Sequence, residues 1–211
     1  MKVKVLRVGI YQTNCYICVY DDNNSAVIID PGDEGERIYG VVAQDKLAIT
    51  HIILTHGHPD HVGAVPYLRK FTGAKVLIHK DDSFMITDSE ASSFAHLLGM
   101  NPVSMVPDGF LTDNDTIDMS FSKAHIMHTP GHTPGSICIQ MRDCLFTGDT
   151  LFAGSIGRTD LPGGDEHEMR ISLNRILTNI DDNTILYPGH GPSSTIKYER
   201  VSNPFLTDMD L

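Results

Sequence analysis

The chain has 211 residues, enough for one well-buried domain and short for two. A formal net charge of −11, with no cluster of Lys and Arg, excludes nucleic acid as a primary partner, because phosphate binding needs concentrated positive charge. Hydrophobic residues make up 41%, ordinary for a globular protein, and no stretch approaches the length of a membrane span.

The first residues, Met1-Lys2-Val3-Lys4-Val5, alternate like a strand and lack a signal-peptide core and cleavage site, which points to a cytoplasmic protein. Short apolar runs predict strands over residues 2–8, 16–20, 26–29, 52–54 and 76–78, then 124–127, 136–141, 144–146 and 184–187. Helical spacing falls between them. Ile38, Val41 and Val42 mark a first helix, and Val65, Leu68 and Phe71 a second. Phe94, Leu97 and Leu98 mark a third that stops at Gly99. Leu173, Ile176, Leu177 and Ile180 give a full stripe on a last helix, with Asp165 as its N-cap and Glu168 three residues on. Residues 101–118, rich in Pro, Asp and Asn, read as a loop with a short strand or hairpin and not as a domain boundary. The pattern has no repeat or linker, and it predicts one domain, residues 1–211, of sheet layers covered by helices.

Cys15 and Cys18 form a C-x-x-C, but strand-like neighbours surround them, and side chains three apart on a strand point to opposite faces. Together with Cys138 and Cys144 they read as buried free thiols, consistent with a reducing compartment.

Eleven histidines is a high count, and they cluster. The apolar run Ile52-Ile53-Leu54 leads directly into Thr55-His56-Gly57-His58-Pro59-Asp60-His61, so four ligand-type side chains gather at the end of a buried strand. Imidazole and carboxylate at this density suit zinc or iron. Three more candidates follow strands: His132 in Thr129-Pro130-Gly131-His132-Thr133-Pro134-Gly135, Asp149 in Thr147-Gly148-Asp149-Thr150, and His190 in Pro188-Gly189-His190-Gly191. Each has Gly directly before it, which permits a sharp turn at a crowded site. His51, His79, His96, His125, His128 and His167 lack this context and read as surface or packed residues; His128, four residues before His132, is the one nearest a motif.

This set, H-x-H-x-D-H followed by separate His, Asp and His, resembles the metallo-β-lactamase superfamily over essentially the whole chain. The resemblance implies an α/β fold, a four-layer αβ/βα sandwich with metals at one edge. It implies a first metal on His56, His58 and His132, a second on Asp60, His61 and His190, and Asp149 bridging them. The metals would be two divalent ions, zinc first, with iron and manganese as alternatives. They would activate a water for attack on a carbonyl, and Asp60 would be the catalytic group that also orients it. Asp30, in Asp30-Pro31-Gly32 after a strand, would support the histidines by hydrogen bonds.

The block Gly157-Arg158-Thr159-Asp160, with Gly164-Asp165 and Asn203-Pro204-Phe205, is similar to the glyoxalase II-like subgroup. Arg158 and Thr159 could meet an anionic substrate, since a guanidinium matches a carboxylate; equally, Arg158 could pair with Asp160 or Asp165 to hold the loop. The full hydroxyacylglutathione hydrolases carry a further C-terminal helical domain that helps hold glutathione, and this chain ends shortly after Leu206. By the subgroup resemblance, the leading expectation is a metal-dependent hydrolase of S-acylglutathione or a related small acyl thioester. The alternative is a mononuclear iron persulfide dioxygenase, also similar in the Gly-Arg-Thr-Asp block, with His56, His132 and Asp149 as its triad. The Gly-Arg-Thr-Asp block leans away from a β-lactam or lactone substrate by the same resemblance.

Overall fold

Two six-stranded sheets organise the chain. The structure is a computed structural model and describes residues 1–20, 24–87, 95–96, 99–119 and 123–207. These fall into two units, Met1–Leu111 and Thr112–Leu211.

In the first unit the strands follow chain order: β1 (Lys2–Val8), β2 (Thr13–Val19), β3 (Ser25–Ile29), β4 (Ala48–Ile53), β5 (Lys75–His79) and β6 (Gly109–Leu111). β1, β2 and β3 are antiparallel, whereas β3 through β6 run parallel. The parallel strands explain the unbroken apolar runs in the sequence: Ala26, Val27, Ile28 and Ile29 are all fully buried, as strands covered on both faces must be. Helix α1 (Gly35–Gln44) buries Ile38 and Val42 in this core, and after a single turn, α2 (Pro59–Val62), helix α3 (Val65–Thr72) adds Val65 and Leu68. Phe71 departs from the expected stripe. It is 46% exposed and rests against the Tyr39 and Tyr67 rings. Gly73, in the left-handed region at φ 69°, ends that helix. A 3-10 turn (Lys80–Asp82) and the short helix α4 (Phe84–Thr87) follow β5. The expected helix through Phe94, Leu97 and Leu98 lies outside the described residues.

In the second unit the sheet order is β14 (Ser194–Thr195), β13 (Ile185–Pro188), β10 (Cys144–Gly148), β9 (Ile137–Met141), β8 (Lys123–His128) and β7 (Thr116–Asp118). Helix α5 (Glu166–Asn179) packs Met169, Leu173, Ile176 and Leu177 against Cys138, Leu145 and Leu186. Its N-cap is Asp165, whose side chain accepts from the Glu168 N–H at 3.0 Å, as the spacing predicts. A hairpin of β11 (Leu151–Phe152) and β12 (Ser155–Ile156) and the helices α6 (Ile196–Ser202) and α7 (Pro204–Thr207) were not expected. The fully buried Glu199 carboxylate joins them, accepting from Gly154 N, Ser194 Oγ and Asn203 Nδ2. The segment 101–118 supplies an edge strand to each sheet, β6 and β7, and the division between units falls inside it. All four cysteines are free and buried, as expected.

Candidate metal centre

Every candidate ligand follows the carboxyl end of a strand. In the first sheet the parallel β3, β4 and β5 end at one edge, where Asp30, the His56–His61 run and Asp82 emerge. Asp30 sits at φ 50°, a left-handed conformation that Asp tolerates better than most residues, and is 1% exposed. Its carboxylate accepts from Thr55 N (2.8 Å) and Thr55 Oγ1 (2.5 Å) and lies 2.9 Å from His61 Nδ1. It thereby fixes the His61 ring so that Nε2 is the nitrogen left for a metal. The His61 ring stacks obliquely on His56 at 4.1 Å between centroids, and His58 meets His56 edge-on at 4.8 Å. Thr55 Oγ1 lies 3.1 Å from His56 Nδ1. Asp60 Oδ2 stands 3.6 Å from His61 Nε2 and accepts from Thr13 Oγ1 at 3.1 Å.

Local sequence explains the compactness of this loop. Pro59 opens α2, with His58 extended before it at φ −66°, ψ 145°. Gly32 makes the close approach possible: a Cβ there would lie 1.6 Å from the Asp60 carbonyl oxygen. Asp82 was missed in the sequence, because Lys80-Asp81-Asp82 reads as a solvated charge run. Its carboxylate is buried and accepts from Gly57 N at 2.9 Å, between His56 and His58.

In the second unit β8, β10 and β13 point the same way, with β9 antiparallel between β8 and β10. His132, Asp149 and His190 therefore leave one edge of the sheet. Asp149 Oδ2 lies 3.6 Å from His132 Nε2 and 3.5 Å from His190 Nε2, so one carboxylate oxygen stands between two imidazoles. His132 is buried and His190 half-buried, with the Phe152 ring edge-on to His190. The Arg158 carbonyl lies 2.7 Å from His132 Nδ1, again leaving Nε2 for a metal. Gly157 allows this: a Cβ would lie 1.7 Å from the Asp149 carbonyl oxygen. His128 Nε2 lies 2.8 Å from the Pro134 carbonyl, inside the turn that carries His132.

The Arg158 side chain is exposed and makes a bidentate pair with Asp160, both bonds 2.8 Å, which holds the Asp160 carboxyl down to about 2. Asp165 is occupied as the α5 cap. Arg158 and Thr159 border an open cleft of about 460 Å³ floored by Ile156, Met169, Leu173 and Phe205.

The donor set fits a divalent transition metal. It consists of imidazoles and carboxylates, with the backs of His61 and His132 already held by a carboxylate and a carbonyl. Among the described residues no cysteine joins a group of clustered donors, and burial pushes the Cys138 thiol up to about 12.

The model of the metallo-β-lactamase superfamily matches residues 8–190. The chain is 35% identical to the hydroxyacylglutathione hydrolase GloC of Haemophilus influenzae over 209 residues, 98% of each chain. Among solved structures it is similar to the BLEG-1 B3 metallo-β-lactamase (TM-score 0.92, 37% identity, 98% of this chain and 100% of that one). It is also similar to TTHA1623 in a di-iron-bound form (0.87, 34%, 97% and 100%) and to ETHE1 from Myxococcus xanthus (0.79, 27%, 100% and 92%). The fold is thus the metallo-β-lactamase fold, an α/β sandwich of mixed sheets and helices, as the motifs implied. With a family model spanning both ligand-bearing units and relatives aligned nearly end to end, the chain belongs to the metallo-β-lactamase superfamily.

Proposed function

We propose that the two units act as one domain. In this reading His56, His58 and His132 hold one divalent metal, Asp60, His61 and His190 a second, and Asp149 bridges them in the hydrolysis of small acyl thioesters such as S-acylglutathione. The observation that carries this reading is the Asp149 carboxylate oxygen midway between the His132 and His190 imidazoles, the disposition expected of a bridging ligand. The di-iron form of TTHA1623 and the name of the GloC relative support a binuclear centre and a thioester substrate. Zinc is the first choice and iron the second. Two such ions supply a water acidic enough to act near neutral pH and a Lewis acid for the carbonyl and the departing thiolate.

This chain's residues supply the rest. Asp30 and the Arg158 carbonyl hold His61 and His132 in one tautomer. Asp60, 3.6 Å from His61 Nε2, is placed to orient the attacking water. The cleft beside Arg158 and Thr159 takes the thiol carrier: its floor is apolar, and the Arg158 guanidinium can exchange Asp160 for a substrate carboxylate. Among the described residues no helix is long and apolar enough to cross a membrane. The four free thiols support a reducing cytoplasmic setting.

The test is loss of thioester absorbance from S-lactoylglutathione, with oxygen excluded, by zinc-reconstituted protein whose metal content is measured. Hydrolysis with two metals per chain, abolished by His56→Ala, is the expected result. A single iron per chain, no anaerobic hydrolysis, and oxygen uptake with glutathione persulfide would overturn it in favour of the dioxygenase, the reading the ETHE1 likeness favours. Cleavage of β-lactams but not thioesters would instead follow the BLEG-1 likeness.

A further inference from the structure

Two buried hydroxyls next to the second unit's ligand turns, those of Thr129 and Thr150, are not explained by ligation or by apolar packing. Both residues are fully buried, and Thr129 meets Cys138, a member of the apolar core. Thr129 ends the approach to Pro130-Gly131-His132, while Thr150 directly follows Asp149. Their hydroxyl oxygens are 3.2 Å apart, and Thr129 Oγ1 is 3.5 Å from Cys138 Sγ. The Cys138 thiol donates to the Thr147 carbonyl at 4.0 Å, in the strand that precedes Asp149. Thr147 Oγ1 in turn donates to Leu151 O at 2.8 Å, closing the Asp149 turn from its other side.

A second link joins the same two turns. Gly157 N donates to Thr150 O at 3.3 Å, and the next residue's carbonyl, Arg158 O, holds His132 Nδ1. Bonds therefore run in a closed ring: the Asp149 turn, Thr150, Thr129, the His132 turn, Arg158, Gly157 and back. The first link depends wholly on the hydroxyls of Thr129 and Thr150, the second on main-chain groups and the His132 ring, and Cys138 adds a contact from Thr129 to the Thr147 carbonyl. A valine at either position has the same shape but no hydroxyl.

We infer that Thr129 and Thr150 are positioning residues: their buried hydroxyl pair sets the separation of His132 from Asp149 and so tunes metal binding at that pair. The inference rests on the proposal that His132 and Asp149 are metal ligands. Either substitution breaks the one bond between the two hydroxyls, although Thr129 Oγ1 keeps Ser136 O and Cys138 Sγ, each at 3.5 Å. The two substitutions should therefore be coupled and not additive.

The test measures zinc affinity by competition with a chromophoric chelator, and the visible absorption of the Co(II)-loaded protein, for the wild type, Thr129→Val, Thr150→Val, the double variant, Thr129→Ser and His132→Ala. Each valine variant should lose about tenfold in zinc affinity, the size of typical outer-shell effects. The double variant should lose no more than either single. The Co(II) bands should shift in the valine variants and return in Thr129→Ser. A merely structural role would lower the melting temperature of the metal-free protein and leave the Co(II) spectrum alone. Wild-type affinity and spectrum in both valine variants, or additive losses, would overturn the inference. If Thr129→Val does not fold, Thr150→Val alone carries the same comparison. Failure of the underlying proposal looks different: His132→Ala would then bind zinc as tightly as wild type.

Discussion

Replacing Asp30 by Asn isolates one charge at the most constrained position of the first unit. Asn tolerates φ 50° about as well as Asp, so the backbone turn survives. Asn can still accept from Thr55 N with its one oxygen, but its amide nitrogen then faces Thr55 Oγ1 and His61 Nδ1. Two donors meet at the His61 contact unless the ring shifts its proton to Nε2, and that tautomer cannot ligate a metal through Nε2. The carboxylate–imidazole bond at 2.9 Å is charge-assisted, worth about 1.5–3 kcal/mol. If all of that is lost from ligation, the metal affinity falls about 10–100-fold, the usual range for such supporting groups. Calorimetric zinc titration of Asp30→Asn against wild type reads this directly, with far-UV circular dichroism checking the fold. An unchanged zinc affinity would refute the claim that Asp30 acts by fixing the His61 tautomer.

Gly157→Ala should destabilise by about 3 kcal/mol in urea unfolding, because the new Cβ would stand 1.7 Å from the Asp149 carbonyl oxygen. Arg158→Ala should raise KM for an anionic thioester several-fold with kcat and metal content unchanged, since the His132 contact uses the backbone carbonyl, which alanine keeps. For Asp113, burial raises the carboxyl pKa, but Arg175 and the His128 N–H outweigh it and the net shift is downward. Its stabilisation is thus present above the ordinary Asp range near pH 3.9 and lost as pH falls through the lower folded value. The stability gap between wild type and Asp113→Asn should be full at pH 7 and shrink below about pH 4 in pH-resolved denaturation. Burial also raises Cys15, Cys138 and Cys144, so native protein at pH 8 should resist a thiol reagent that labels all four cysteines in denaturant.

What the sequence made legible was what is encoded locally. Strands β3 and β4 pair in parallel and are covered on both faces, so they appear as apolar runs such as Val27-Ile28-Ile29 and Ile52-Ile53, and Asp30 and the His56–His61 run come soon after them. The α5 cap was readable because Asp165 and Glu168 are three residues apart. Phe71 was misplaced because helical spacing shows which residues share a face but not where the covering sheet ends. The hairpin β11–β12 has strands of two residues each, too short for any period to show, and the Glu199 carboxylate that joins it to α6 comes from 45 residues away. Asp82 was invisible for a similar reason. Nothing in Lys80-Asp81-Asp82 distinguishes the buried carboxylate from its neighbour, and only the fold brings it to Gly57.

The ligand motifs name atoms, but much of their geometry comes from main-chain groups that a motif does not list. His132 is held by the Arg158 carbonyl, and the loop between His56 and His58 by the Gly57 amide. The same motif glycines leave no room for a side chain where backbones cross, at Gly32 over Asp60 and at Gly157 over Asp149. In the proposed reading this division frees the exposed side chains of Arg158 and Asp160 from any duty to the metals. Among the described residues the Arg158 side chain is tied to Asp160 at the surface, and an exposed ion pair adds little to stability. In the proposed reading, substrate preference can therefore vary through that side chain and the cleft beside it, while His61 and His132 stay held by the Asp30 carboxylate and the Arg158 carbonyl.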